Sequence, residues 1–215
     1  MAEKKLKLSP SGLKLFWDCR LCFWLDKKNG IKRPTGPMAS VAIGLDSKLK
    51  NYINRYRQEG KQPPLLEEYL KKYHAKMVPK FMSYLKLETD SAIFSGKLDD
   101  CLILEGNLYA PLDHKTRASF TDNVHETYQL QMDAYDWLLQ VNGYPTAAKA
   151  YLAYYAPMDG ELHNGFPFGV DFKELKTSAE RVEKMLTEAL EILASDEPPE
   201  AASHCSFCQY RKLEY

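Results

Sequence analysis

The stretch that decides the fold is residues 95–116, SGKLDDCLILEGNLYAPLDHKT. Apolar residues on both sides of the turn sequence EGN, at 105–107, predict a β-hairpin. A three-residue turn centred on Gly106 makes Asp99 and Asp113 face each other across the ladder, with Cβ atoms about 4.5–5.5 Å apart. A two-residue turn would shift the register by one and stagger the two aspartates.

Lys115 adds a cation to this pair of carboxylates. It follows Asp113 by two residues, so both side chains lie on the same face of the strand. Facing carboxylates repel each other unless a cation lies between them, and oxygen ligands suit Mg²⁺ or Mn²⁺. A neighbouring lysine can orient a water or neutralise charge on a phosphate. The other interpretation of so short a pattern is a solvent-facing hairpin with an ordinary ion pair.

Helical patterns lie on both sides of the hairpin. Ser9-Pro10 is typical of a helix start, and Asn29-Gly30 of a helix end. Apolar spacing predicts helices at residues 9–29, 41–57, 65–85, 123–141 and 178–194. Further strands are predicted at residues 147–156 and 166–170. The sequence shows no internal repeat or flexible linker, so one α/β domain is the simplest organisation.

The composition excludes several classes of protein. With 215 residues, 45% hydrophobic and 27% charged, the chain resembles an ordinary globular domain, not a disordered or disulfide-dense one. No apolar run approaches the roughly 18 residues that span a bilayer, and the N-terminus lacks the apolar core of a signal peptide. We therefore expect a cytoplasmic protein without a membrane partner.

Charge is distributed unevenly, although 29 basic residues balance 29 acidic ones. Residues 1–36 carry nine Lys and Arg against three Asp and Glu, whereas residues 159–200 carry four against eleven. A neutral chain can therefore still present a local basic surface. The zero net charge does not exclude a nucleic-acid binder.

Four of the five cysteines form a second group. They occur as two C-x-x-C pairs, Cys19 with Cys22 near the start and Cys205 with Cys208 near the end. Four thiolates match a Cys₄ zinc or iron–sulfur site, and reduced core cysteines are the other interpretation. Either metal would join the two ends of the chain, so its expected role is stability. Cys101, in the predicted hairpin, is expected to be a core residue.

The order of these motifs resembles the PD-(D/E)XK nuclease superfamily, specifically its RecB-like branch, which includes the CRISPR-associated RecB-like exonucleases. The matching motifs are GKLD at 96–99, DHK at 113–115 and QMDAY at 131–135. The resemblance implies an α/β, restriction-endonuclease-like core: a mixed central β-sheet flanked by helices, with an N-terminal helical segment. The implied organisation is a single domain over 1–215, with a mainly helical part in 1–90, the catalytic sheet and helix in 91–175, and a C-terminal helix and cysteine tail in 176–215.

The resemblance also implies a role for each motif residue. The implied metal ligands are Asp46, Asp99, Asp113 and the backbone carbonyl of His114; the implied catalytic lysine is Lys115; and Gln131 and Tyr135 border the active site and the scissile strand. Asp46 is a departure, because the family's first motif often has His or Glu at that place. A shorter carboxylate can ligate the same ion, and a solvated helix residue is the alternative.

These features predict a metal-dependent DNA nuclease that uses Mg²⁺ or Mn²⁺. It is expected to be an exonuclease, or to prefer DNA with single-stranded character, in DNA repair, recombination or phage- or CRISPR-related DNA processing. The alternative is a non-catalytic nucleic-acid-binding module that keeps the nuclease fold and a structural Cys₄ metal site.

At the cysteines the resemblance implies a [4Fe–4S] cluster. The family usually has one cysteine in the first helix and three in the tail, whereas this chain has two and two. That departure keeps Zn²⁺ as an alternative.

Overall fold

A computed structural model describes residues 5–34, 40–79 and 83–212. Its helices are α1 Pro10–Asp18, α2 Arg20–Asn29, α3 Ser40–Gln58, α4 Glu67–Lys72, α5 Glu126–Val141, α6 Ala179–Ala194 and α7 Ser206–Lys212. Its strands are β1 Leu6–Leu8, β2 Lys76–Met77, β3 Tyr84–Glu88, β4 Ala92–Lys97, β5 Asp100–Leu104, β6 Leu108–Thr116, β7 Lys149–Pro157 and β8 Phe168–Lys176. None of the helices in these ranges is long and apolar enough to cross a membrane.

The strands form two sheets. The larger has the order β2-β5-β6-β7-β8, and the smaller has the order β1-β4-β3. In the larger sheet β6 and β7 are parallel and are joined through α5, whereas the other neighbours are antiparallel. This mixed sheet, flanked by helices, confirms the predicted α/β fold class.

The hairpin has the predicted register, but its ladder ends one residue before Asp99. Gly106 lies in the turn with φ of 75°, a conformation that favours glycine. The last pair of the ladder is Asp100 with Leu112. Asp99 lies in the bend through which the chain leaves β4 in the smaller sheet and enters β5 in the larger one. Asp99 therefore lies just beyond the last pair of the ladder. The prediction that it pairs with Asp113 within the strand was wrong.

Two hydrophobic cores lie on opposite faces of the larger sheet. Along β7, Leu152 and Tyr154 belong to the core that includes α1, α2, α5 and α6. Tyr151 and Tyr155 belong to the core that includes α3 and α4. Because side chains alternate along a strand, a central strand covered on both faces is an almost continuous apolar run.

The first predicted helix, residues 9–29, is two helices that meet at Cys19. As predicted, Ser9 caps the start, its Oγ accepting a hydrogen bond from the Gly12 amide at 3.2 Å, and Gly30 ends the second helix with φ of 69°. Cys19 is extended, with φ of −161°, and serves as the C-cap of α1 and the N-cap of α2. The break leaves Cys19 and Cys22 buried in one small cluster.

The prediction of a third helix over residues 65–85 was wrong. Helix α4 is short, and β2 and β3 follow it; residues 80–82 lie outside the described residues. His74 has a left-handed φ of 49°, which ends the helix. The two strands pair with β5 and β4, so sheet pairing overrides the local helical pattern. The part over 1–90 thus contains strands besides its helices, and the remaining predicted helices and strands are present with shifted ends.

Candidate active site and metal centre

Asp113 and Lys115 lie near the end of β6, on its α5 side. Lys115 Nζ is 2.5 Å from Asp113 Oδ2 and 5.1 Å from the ring centroid of Tyr128 on α5. Asp113 is 1% exposed. Burial raises the pKa of Asp113 to about 6, and the charge of Asp99 adds to the rise, although Lys115 opposes it. A carboxyl and an ammonium are therefore held together where the carboxylate is poorly solvated.

Asp46 and Asp99 share one cation, the ammonium of Lys50. Lys50 Nζ lies 3.0 Å from an oxygen of each carboxylate. Burial lowers the pKa of Lys50, but the two carboxylates outweigh it and the pKa is raised overall. Lys50 and Asp99 line a cavity of about 380 Å³ between α3 and the strands, which we call the carboxylate cavity. Sequence reasoning missed Lys50, although its place four residues after Asp46 on one helix face was a usable signal.

The chemistry of these residues fits a divalent cation. Carboxylate oxygens are the ligands that Mg²⁺ and Mn²⁺ prefer. Asp113 Oδ2 is buried and makes no hydrogen bond of normal geometry, its close contact being the Lys115 ammonium. Within the described residues, Asp46, Asp99 and Asp113 do not form a group in which one oxygen from each lies within 4.8 Å of the others. An ion held by all three would therefore require the carboxylates to move closer together and to exchange the Lys50 ammonium, which now contacts Asp46 and Asp99, for the ion.

Gln131 and Tyr135 lie close to Lys115, and their roles stay a prediction. They are on one face of α5, where Gln131 Nε2 donates to Tyr135 Oη at 3.1 Å. Burial, and then the charges of Asp113 and Asp99, raise the pKa of Tyr135, so its hydroxyl is close enough to sense both carboxylates. Gln131, Tyr135 and Lys115 line a second cavity of about 430 Å³.

The His114 side chain points to the opposite face of the sheet. Its Nδ1 is 2.9 Å from Tyr155 Oη, and its Nε2 is 3.9 Å from Asp100 Oδ2. Arg57 Nη2 donates to both oxygens of Asp100 at 2.6 Å. This buried polar group fastens α3 to the hairpin, and sequence reasoning missed it. The backbone carbonyl of His114 stays a predicted ligand.

Cys19, Cys22, Cys205 and Cys208 form a compact group, as the two C-x-x-C pairs predict. All four sulfurs lie within 4.8 Å of one another, with Cys22 Sγ 3.4 Å from Cys208 Sγ. Cys101 is buried elsewhere, and its thiol donates to the carbonyl of Ala110. The prediction that Cys101 is a core residue is confirmed.

Arg33 adds a positive charge to this cysteine group. Its Nη2 donates to Cys205 Sγ at 3.1 Å, and its Nη1 contacts Asp18. Burial alone would raise the pKa of Cys19, but hydrogen bonds to the backbone of Ala202 and Cys22 outweigh it and lower the pKa to about 6. At Cys19 the surroundings thus favour thiolate, the form that binds metals, whereas burial raises the pKa of Cys22 and of Cys208. Arg33 lies in a loop where nothing in the sequence pattern marked it.

Comparison with known proteins identifies the family. The model of the PD-(D/E)XK nuclease superfamily matches residues 43–213. The chain belongs to the PD-(D/E)XK nuclease superfamily. Its members are typically nucleases that use divalent metals, so the superfamily accounts for a carboxylate and lysine centre beside a mixed sheet.

Solved structures support the same fold. The chain is similar to the structure described as "Crystal structure of SSO0001", with a TM-score of 0.50 and 14% sequence identity. The match covers 99% of this chain and 88% of that one. At this identity the likeness shows the fold of the PD-(D/E)XK chain and nothing further. No curated protein matches it.

Proposed function

We propose that this PD-(D/E)XK protein is a Mg²⁺- or Mn²⁺-dependent DNA nuclease of the RecB-like branch. The observation that carries the proposal is the contact between Lys115 and the buried Asp113, 2.5 Å apart at the end of β6. Asp99 lies close enough to Asp113 for its charge to raise the pKa of the Asp113 carboxyl. A carboxylate pair that can hold a divalent cation, with an adjacent lysine, can support hydrolysis of a phosphodiester.

Each site residue has a role in this proposal. Asp46, Asp99, Asp113 and the His114 carbonyl would hold the ion. A bound Mg²⁺ or Mn²⁺ lowers the pKa of water and offsets charge on the phosphate. Lys115 orients the attacking water and neutralises charge that develops on the phosphate. Gln131 and Tyr135, linked to each other on α5, position the scissile strand.

The proposed substrate is DNA with single-stranded character, cut as an exonuclease. The pathway we propose is DNA repair, recombination or phage- or CRISPR-related DNA processing in the cytoplasm. We further propose that residues 1–215 act as one domain. Helix α1, which precedes the family match, packs in the same core as α5. This packing supports a single unit because residues of both helices are buried in one continuous core.

Cleavage of a labelled single-stranded DNA, with an RNA of the same sequence as a second substrate, tests the proposal. With Mg²⁺ or Mn²⁺ the wild type should cut the DNA from an end, whereas Asp113→Ala and Lys115→Ala should lose at least about 100-fold in rate. Lys149→Ala is the matched control, because Lys149 begins β7 at the far end of the sheet and pairs with Glu174. A wild type that cuts nothing, or an Asp113→Ala variant that cuts equally well, would rule the nuclease out.

Lys50 supports the second candidate, a non-catalytic nucleic-acid-binding module. Its ammonium lies 3.0 Å from both Asp46 and Asp99, where an ion would otherwise neutralise them. If this lysine permanently replaces the ion, DNA binding should be independent of Mg²⁺ and no cleavage should occur. Lys50→Ala would then create a Mg²⁺ dependence of stability that the wild type lacks. Cleavage by the wild type excludes this candidate.

For the cysteine group we propose a single Zn²⁺ ion instead of the [4Fe–4S] cluster that the resemblance favoured. Four sulfurs that share one tetrahedral zinc at about 2.3 Å lie roughly 3.8 Å apart. The closest pairs here are 3.4, 3.7 and 3.8 Å apart. A cluster of four irons and four sulfides must fit between its cysteines, so its thiolates are spread more widely. The compact spacing therefore supports one ion.

A further inference from the structure

The second cavity, lined by Gln131, Tyr135 and Lys115, adjoins the carboxylate cavity. Lys97, at the end of β4, lines both of them. Its opposite wall is the start of α1, where Ser11 and Lys14 lie one helical turn apart. We call it the lysine cavity, because Lys14, Lys97 and Lys115 all line it. This space lies beside Lys115, which contacts Asp113, so it is open to a strand whose scissile phosphate reaches Asp113.

The lysine cavity is positively charged. No Asp or Glu is among the described residues that line it. Lys14 and Lys97 are exposed and form no ion pair with any residue in 5–34, 40–79 or 83–212. Lys115 shares its charge with Asp113, but the other two ammonium groups are uncompensated. Two free cations that face one space attract an anion to it.

The N-terminus of α1 contributes less to anion binding in the lysine cavity than the ammonium groups do. Pro10 has no amide hydrogen, and the Gly12 amide already donates to Ser9 Oγ at 3.2 Å. Few free amides therefore remain in the first turn of α1 to bind an anion. The hydroxyls of Ser11 and Ser95 and the ammonium groups of Lys14 and Lys97 supply the remaining donors in the cavity wall.

We propose that the lysine cavity binds a second phosphate of the DNA strand, next to the phosphate that is cleaved, and that Lys14 and Lys97 are its ligands. The inference rests on the proposed function, because it assumes that Asp113 marks the scissile phosphate. Lys14 belongs to the basic segment at 1–36 and lies before the family match, which begins at residue 43. Helix α1 thus gives the basic segment a substrate-binding role.

Binding of a fluorescent single-stranded oligonucleotide to the uncleaving Asp113→Asn protein tests the subsite. Adding Lys14→Ala or Lys97→Ala should raise Kd several-fold for any base sequence and lower the slope of log K against log salt by about 0.7–1. Lys14→Arg should retain most of the affinity. The control Lys149→Ala should leave Kd and slope unchanged. Equal slopes in the Lys14→Ala and parent proteins would refute the subsite.

An oligonucleotide with one uncharged linkage identifies which phosphate of the strand binds in the lysine cavity. A single methylphosphonate, moved one position at a time along the oligonucleotide, should weaken binding at one linkage beside the cleavage point. Lys14→Ala and Lys97→Ala combined in the same background should abolish this sensitivity at that linkage and at no other, because both proposed ligands are then removed. Persistence of the sensitivity in the variant overturns the proposal. Loss of the sensitivity in a protein that never cleaves DNA would instead refute the nuclease and retain the subsite.

Discussion

At the scale of single residues, the Asp113 carboxyl shows a conflict between function and stability. Its pKa of about 6 lies above the ordinary 3.8, because burial disfavours the ionised form more than Lys115 favours it. The folded protein therefore binds a proton more tightly than the unfolded chain between about pH 4 and 6. Without a divalent cation, the free energy of unfolding falls as the pH rises through this window.

Asp113→Asn should remove this loss. Relative to the wild type, the variant should gain about 2–3 kcal/mol in the free energy of unfolding between pH 4 and pH 7.5, since the shift is about two pKa units. Urea unfolding of both proteins at the two pH values, without added divalent ions, measures the gain. The cysteine group is the same in both proteins, so its own pH dependence cancels.

Measuring unfolding of both proteins with added Mg²⁺ completes this test. Mg²⁺ at pH 7.5 should stabilise the wild type more than Asp113→Asn, because a ligand that binds the folded state shifts unfolding by mass action. If the two proteins differ in free energy of unfolding by the same amount at both pH values, ionisation of Asp113 does not destabilise the folded protein.

At the scale of elements, β4 is held close to α5 and α1 by a residue without a side chain. A Cβ on Gly96 would lie 2.8 Å from Leu138 Cδ1, 3.1 Å from Tyr135 Cε1 and 3.4 Å from Pro10 Cγ. Leu138 and Tyr135 are buried, so neither can move aside freely. The glycine of the GKLD motif thus sets the distance between the strand that precedes Asp99 and the helix that carries Gln131 and Tyr135.

Gly96→Ala should therefore destabilise the protein by about 1–3 kcal/mol through overpacking, which lowers Tm by several degrees. It should also slow cleavage, because the added methyl group displaces Tyr135. Gly44→Ala is the matched control for stability. A Cβ at Gly44, inside α3, meets no atom within 4 Å, so this change should preserve or raise Tm. Equal Tm values for Gly96→Ala and the wild type would contradict the close packing.

Also at this scale, local sequence patterns predicted the elements whose structure depends on neighbouring residues. They failed for segments whose structure depends on pairing with strands far along the chain. The turn at Gly106 fixed the hairpin register, because turn length determines which residues face each other. The segment 65–85 has helical spacing, yet β2 and β3 within it form because partner strands are available far along the chain. No local window contains that information.

At the scale of the whole molecule, the motif residues were predictable and their partners were not. The motif residues follow the order expected from the resemblance to the superfamily. They are Asp113, Lys115, Gln131 and Tyr135. The ammonium groups beside them come from α1, α3 and β4, which only the folded chain brings together. The cysteine group was found because two short spacings repeat at opposite ends of the chain. Its compactness, which bears on the kind of metal, is visible only in the folded chain.

The cysteine group closes nearly the whole chain into one loop, from α2 to α7. Purified protein should be colourless with one zinc per chain, and Cys208→Ser should lose the zinc. Closing a loop of this length contributes about 3–5 kcal/mol by chain entropy, so Tm should fall by about 10 °C. Cleavage well below Tm should persist, because no cysteine of the group lines either cavity. Cys101→Ala, in the core, should keep its zinc. Brown protein with about four irons per chain would favour the cluster over zinc, and a metal-free wild type with the Tm of Cys208→Ser would refute the metal site.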